Sequence, residues 1–110
     1  MVSAADLALV YLSEGKPTKS ELLAREAFEF DSKNQADDRQ RFRVETLVGA
    51  SLARQKRYNE AEPLLLEGYR GLLALKDRIA VPDHYIGLAR NWIFEAYQSW
   101  GKPEKVAEWR

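Results

Sequence analysis

The sequence predicts an all-α chain: three antiparallel helix pairs stacked in series. Three observations carry this. Apolar residues recur at three- and four-residue spacing along most of the chain, the period of amphipathic helices. The run Gly15-Lys16-Pro17 returns as Gly101-Lys102-Pro103; glycine suits the left-handed residue past a helix end, and proline cannot continue the old helix but can open a new one. Between them, Gly49–Gly68 interleaves small residues (Gly49, Ala61, Gly68) with large apolar ones (Leu52, Tyr58, Leu65). That spacing describes two helices joined by a tight turn, with the small residues admitting close backbone approach.

The elements follow in order. Residues 3–14 carry Ala4, Leu7, Ala8, Val10, Tyr11 and Leu12 at helical spacing, with Ser3 as N-cap and Asp6 in the capping-box position. A second helix opens at Pro17 or Thr18, presents Leu22, Leu23, Ala27, Phe28 and Phe30, and is expected to end in a polar loop at Asp31-Ser32-Lys33-Asn34. The third starts at Asp37 or Asp38, whose charges suit a helix N-terminus, and runs to about Gln55 through Phe42, Leu47, Val48, Ala50, Leu52 and Ala53. The fourth runs from Asn59, a good N-cap, to Lys76, with Pro63 in or just past its first turn. Gly68 and Gly71 fall inside it; each weakens an isolated helix by about 1 kcal/mol relative to alanine, which predicts a packing reason for them. Pro82-Asp83 marks a stop and restart, and a fifth helix runs from His84 to Trp100 through Ile86, Leu88, Ala89, Trp92, Ile93, Ala96 and Tyr97. A short sixth helix begins near Pro103.

Self-comparison aligns the pairs at offsets of 41 residues (Ser20 to Ala61) and 45 residues (Ala61 to Val106). In this register Tyr11, Leu52 and Tyr97 are equivalent, as are Ala8, Gly49 and Phe94, and Ala27 and Gly68. The repeats span about 3–34, 37–77 and 83–110 of a single domain. The packing positions are Ala8, Tyr11, Ala27, Gly49, Leu52, Tyr58, Ala61, Leu65, Gly68 and Tyr97.

Composition excludes several function classes. With 17 basic and 17 acidic residues the formal charge is zero, so there is no global footprint for nucleic acid or an anionic membrane. The absence of cysteine removes disulfides and thiolate metal sites, and one histidine, His84, cannot build a multi-histidine site. The longest apolar run, Leu7–Leu12, is far too short to span a bilayer and has no signal-peptide flanks. Met1 fits either a natural start or an excised segment.

No residue set suggests catalysis or a cofactor. His84 stands beside Asp83 at a helix start, with no serine–carboxylate arrangement for a triad, and reads as a capping or loop residue. The carboxylate pairs Asp37-Asp38 and Glu60-Glu62 lie at helix beginnings, where the macrodipole favours them. Arg39, Arg41 and Arg43 form a basic run in which Arg39 and Arg43 share a face; they read as a solvated face paired with Asp38 or Glu45, or as the anion-binding edge of a groove. The aromatic residues read mostly as core, except Trp109, which has nothing after it to pack against.

The segment Tyr58-Asn59-Glu60-Ala61-Glu62-Pro63-Leu64-Leu65-Leu66-Glu67-Gly68-Tyr69, with Pro82-Asp83-His84 and Trp100–Arg110, resembles tetratricopeptide repeats. The long repeat is similar to kinesin-light-chain-like arrays and to those at the C-terminus of bacterial serine/threonine protein kinases. Ser20 and Val106 depart from the usual alanine, and Phe94 from a small residue. No phosphate loop, His-Arg-Asp or Asp-Phe-Gly motif of a kinase occurs in the chain. The resemblance implies a right-handed superhelix, a cytoplasmic location and a non-catalytic protein-binding role without cofactor or metal. It also implies a concave groove lined by the first helix of each pair. Carried over, the groove positions are Ala5, Leu9 and Leu12; then Arg39, Arg43, Thr46, Ala50 and Ala53; then Leu88, Asn91, Glu95 and Gln98. The expected partner is a protein or peptide, with homodimerisation through the terminal helices as the alternative. No nucleic acid or membrane partner is expected.

Overall fold

In the computed structural model, which describes residues 3–33 and 37–110, six helices make up most of the described residues and no strand occurs among them. They are α1 (Ala4–Ser13), α2 (Pro17–Lys33), α3 (Asp38–Arg54), α4 (Tyr58–Lys76), α5 (Asp83–Trp100) and α6 (Pro103–Trp109). Met1 and the predicted loop residue Asn34 lie outside the described residues.

Local chemistry accounts for most boundaries. Ser3 Oγ accepts the Asp6 N–H at 3.1 Å, and Asp37 Oδ1 accepts the Gln40 N–H at 3.1 Å, so both side chains cap the helices they precede. Three boundaries differ from expectation. The segment Asp31–Lys33 is helical rather than a loop; α2 is docked along α3, and this tertiary support overrides the weak propensity of its polar last turn. Asn59 is not an N-cap, because α4 starts at Tyr58 and Arg57 precedes it without a side-chain cap. Pro63 therefore falls in the second turn. His84 lies inside α5, exposed, with its ring edge-on to Tyr85 at 4.8 Å, and caps nothing.

The three turns within pairs share one geometry. The Lys16, Arg57 and Lys102 N–H groups donate to the Tyr11, Leu52 and Tyr97 carbonyls at 2.9, 3.0 and 3.1 Å. The preceding residue is left-handed each time: Gly15 at φ +75°, Lys56 at φ +65° and Gly101 at φ +79°. This is the helix-stop arrangement in which a left-handed residue lets the chain return to its own last turn. The equivalence of Tyr11, Leu52 and Tyr97 is thus an equivalence of hydrogen-bonded positions.

α3 and α4 form the closest pair, and they run antiparallel. A β-carbon at Gly49 would stand 2.8 Å from Leu65 Cγ, one at Gly68 would stand 2.5 Å from Thr46 Cγ2, and one at Gly71 would meet the Phe42 ring. Gly49 and Gly68 admit close backbone approach, and Gly71 makes room for the Phe42 ring. In the first pair, Ser20 replaces alanine without loosening the contact: it is fully buried and its Oγ donates to the Ala8 carbonyl at 2.7 Å. The third pair closes differently. Trp109 is not left without a partner: it packs edge-on against Tyr69 at 5.1 Å, and Arg90 lies over its ring at 5.9 Å. Trp109, expected as the exception among the core aromatics, joins the edge of the core because α6 packs against α5 and carries its ring to Tyr69 of α4.

Pairs dock in series, α3 against α2 and α5 against α4. At the second junction the buried Tyr97 donates its hydroxyl proton to Glu62 Oε2 at 2.6 Å. The first helices of the pairs lie side by side and parallel. Arg43 reaches Asp6 and Arg54 reaches the Leu12 carbonyl across α1 and α3; Arg54 also reaches Glu95 on α5, and Arg39 reaches the Ala80 carbonyl in the connection before α5. The core between the layers includes Leu12, Leu47, Leu52, Leu65 and Ile93, all at most 2% exposed.

Candidate functional site

The first-helix layer holds one cleft of note. The last turns of α3 present Ala50 and Ala53, whose methyl groups leave room between α3 and α5. On α5, Trp92 and Ala96 close the floor, and Glu95 and Gln98 stand at the rim. The resulting cleft has a volume of about 430 Å³, with Arg54, Lys56 and Tyr58 at its turn end. Trp92 and Ala96 are buried beneath it, so the floor is apolar while the rim is polar. That combination of an apolar base and a few convergent polar groups is what peptide and small-ligand sites share.

Arg54 organises the rim. Its guanidinium pairs with Glu95 at 3.2 Å and reaches the Leu12 carbonyl at 3.4 Å, touching all three first helices. Both charged side chains are well exposed, so the pair is weak and exchangeable. Lys56 occupies the left-handed turn position that glycine fills in the other two pairs. Tyr58 lines the turn end of the cleft and stacks on Trp100, with ring centroids 5.4 Å apart.

Four groove positions inferred from the sequence, Ala50, Ala53, Glu95 and Gln98, meet at this cleft. The others do not line it. Thr46 is 1% exposed and faces α4 against Gly68, not a groove. Ala5 and Leu12 are core residues, and Leu9 and Leu88 are half-buried against that core. Asn91 is exposed on α5, one turn before Glu95, and is not among the residues lining the cleft. Arg43 is committed elsewhere. It pairs with Asp6 at 2.9 Å and lies over the Tyr85 ring at 4.8 Å, with its side chain 12% exposed. The Arg43 hydrogen bond, followed by that of Ser3, holds the Asp6 carboxyl below the usual carboxylate range. Arg39 is likewise held, by Asp37 at 2.9 Å and the Ala80 carbonyl at 2.8 Å. Arg43 is therefore tied to α1 and Arg39 to the α4–α5 connection, instead of presenting a bare anion-binding edge. Of the partners expected for the run, Asp38 pairs with Arg41 at 3.5 Å, while Arg39 and Arg43 take Asp37 and Asp6.

Arg54, Lys56, Tyr58, Trp92, Ala96 and Ser99 were missed as cleft residues. The repeat register did not point to Arg54, because it makes Glu95 equivalent to Ala50 and Arg54 to Ser99. Trp92 reads as core from its spacing, and its role as a floor depends on the alanines opposite it.

The packing positions Ala8, Ala27, Gly49, Leu52, Ala61, Leu65, Gly68 and Tyr97 are buried. Tyr11 and Tyr58 are half-buried; the Lys16 and Lys19 ammonium groups lie over the Tyr11 ring at 5.7 and 5.6 Å. Among the described residues, no three His, Cys, Asp or Glu side chains are grouped to hold a metal ion, and no helix is long and apolar enough to cross a membrane. Comparison with known proteins finds no matching family model, no matching curated protein and no matching solved structure.

Proposed function

We propose that the chain is a tetratricopeptide-like module, a short right-handed superhelix that binds a peptide or protein and performs no catalysis itself. The single observation that carries this reading is the α3–α5 cleft, with its apolar floor at Trp92 and Ala96 and its exchangeable polar rim at Arg54, Glu95 and Gln98. The side-by-side first helices and the thrice-repeated turn support the repeat assignment. The resemblance of Tyr58–Tyr69 and Trp100–Arg110 to repeats that follow bacterial kinase domains supports a role in a cytoplasmic signalling or regulatory assembly.

The test is selection from a displayed random-peptide library on the wild-type protein, followed by affinity measurement on Ala53→Arg. Ala53 is half-exposed, so the arginine fills the cleft without burying a charge. Selected peptides should bind the variant at least about tenfold more weakly. Unchanged affinity sinks the assignment of the cleft.

A second reading, self-association, is favoured by one observation. In the repeat register Val10 of α1 is equivalent to Ser51 and Leu7 to Val48, both of which are buried, whereas Val10 is 44% exposed. A second copy docking its last pair there would cover the face. Light scattering over a dilution series tests it, and a constant monomer mass rejects it.

A further inference from the structure

A second cleft, of about 180 Å³, lies on the other side of α3, between α2 and α4. Phe28, Val48 and Leu64 make it apolar, and Phe28 is 39% exposed at its lip. The Glu45 carboxylate also lines it. Glu45 Oε1 is shut off from solvent and has no hydrogen-bond partner. A buried acceptor left without a donor carries its full desolvation penalty, larger still for a charged group, so such an atom calls for a reason.

The neighbouring cations do not supply the missing donor. Arg25, also at the cleft, is engaged by Glu21 at 2.8 Å. Arg41, which acts on Glu45 only through space, pairs with Asp38 at 3.5 Å. Glu67 on α4 adds a second negative charge acting on Glu45. The site therefore combines an unanswered carboxylate, a like charge beside it, and apolar walls. Its volume equals that of about six liquid waters, enough for a short alkyl stem with a compact head.

We propose that this cleft binds a primary ammonium group carried on an apolar stem, with the ammonium donating to Glu45 and the stem lying against Phe28, Val48 and Leu64. An ammonium in the cleft supplies the positive charge that Glu45 lacks and offsets the repulsion between Glu45 and Glu67. A neutral alcohol of the same length supplies no positive charge. An alkyl carboxylate would add a third negative charge. The site is separate from the α3–α5 cleft, and its occupancy does not depend on the function proposed there.

The experiment is a methyl- and carboxyl-carbon NMR titration of the intact chain with n-butylammonium at pH 8, with n-butanol as control. Saturable shifts are expected at the Val48 and Leu64 methyls and at the Glu45 carboxyl carbon. Glu45→Gln should weaken binding at least about tenfold, since it removes the charge that the ammonium answers. Butanol binding as tightly as butylammonium, an unchanged affinity in Glu45→Gln, or no saturable shift each overturns the proposal. A capped lysine, N-acetyl-lysine methylamide, identifies the source of the cation. Competition for the same signals assigns the site to a polypeptide lysine, and failure to compete while butylammonium binds assigns it to a free amine.

Discussion

Gly68 and Thr46 touch where no side chain on Gly68 could exist: a β-carbon there would stand 2.5 Å from Thr46 Cγ2 and 2.9 Å from the Phe42 carbonyl oxygen. One obstacle is a methyl group and the other is backbone, so neither can be relieved by turning a flexible side chain. Gly68→Ala should therefore destabilise the protein by about 1–3 kcal/mol through overpacking, although alanine is the better helix former. Gly87 supplies the control. It is helical and exposed, with nothing within 4 Å of its added β-carbon. Gly87→Ala should stabilise by roughly 0.5–1 kcal/mol. Urea midpoints of the two variants should move in opposite directions; the same direction for both would refute the close-approach account.

Lys56 holds a backbone conformation, φ +65°, that the other two turns assign to glycine. A left-handed residue with a β-carbon costs about 1–2 kcal/mol relative to glycine in that geometry, partly offset by the greater freedom of glycine in the unfolded chain. Lys56→Gly should raise stability by up to about 1 kcal/mol. Equilibrium denaturation checks this, and a destabilised variant would mean that the lysine side chain contributes more than its backbone costs.

Glu45 makes stability depend on pH. Burial, then the Glu67 carboxylate, push its pKa from 4.5 up to about 7, against a smaller opposing effect of Arg41. In the unfolded chain the group ionises near 4.5, whereas the folded chain keeps the proton to about 7. The native state thus binds more protons across that window, and stability falls as pH rises through it. Above about 7 the loss is complete. Glu45→Gln should remove this slope and be more stable than wild type at pH 8. Denaturant midpoints from pH 4.5 to 8, compared between the two proteins, provide the measurement; parallel profiles contradict it.

Asp6 and Arg43 join α1 to α3 at 2.9 Å. A double-mutant cycle with Asp6→Asn and Arg43→Met should give a coupling of about 0.5–1.5 kcal/mol, larger than a fully exposed pair because Arg43 is largely covered. The depressed Asp6 pKa sets the sign with pH. The contribution is present above the unfolded value of about 3.8 and is lost as pH falls through the lower folded value. A coupling indistinguishable from zero at neutral pH would leave the contact geometric only.

The α-helical class, the number of helices and the places where pairs turn were legible in local signals. Gly15, Gly101 and their following prolines stop and restart the chain by backbone sterics alone, and the register from Tyr11 to Leu52 to Tyr97 identifies equivalent turn hydrogen bonds. Gly68 and Gly71 announced a close contact because a helix tolerates their cost only for packing. By itself, then, the sequence determined where the backbone bends and which stripes face inward, because both depend on neighbours a few residues apart. Which residues meet across helices was decided only by the tertiary structure. Arg43 has the same chemistry whether it faces a groove or Asp6 thirty-seven positions away, and Thr46 looks equally suited to a groove or to the face of Gly68. The α3–α5 cleft exists because Ala50 and Ala53 happen to oppose Trp92 and Ala96, and Glu45 lacks a partner because Arg25 and Arg41 are engaged elsewhere. Such relations depend on the rotation and spacing of packed helices, a collective outcome of every contact in the core.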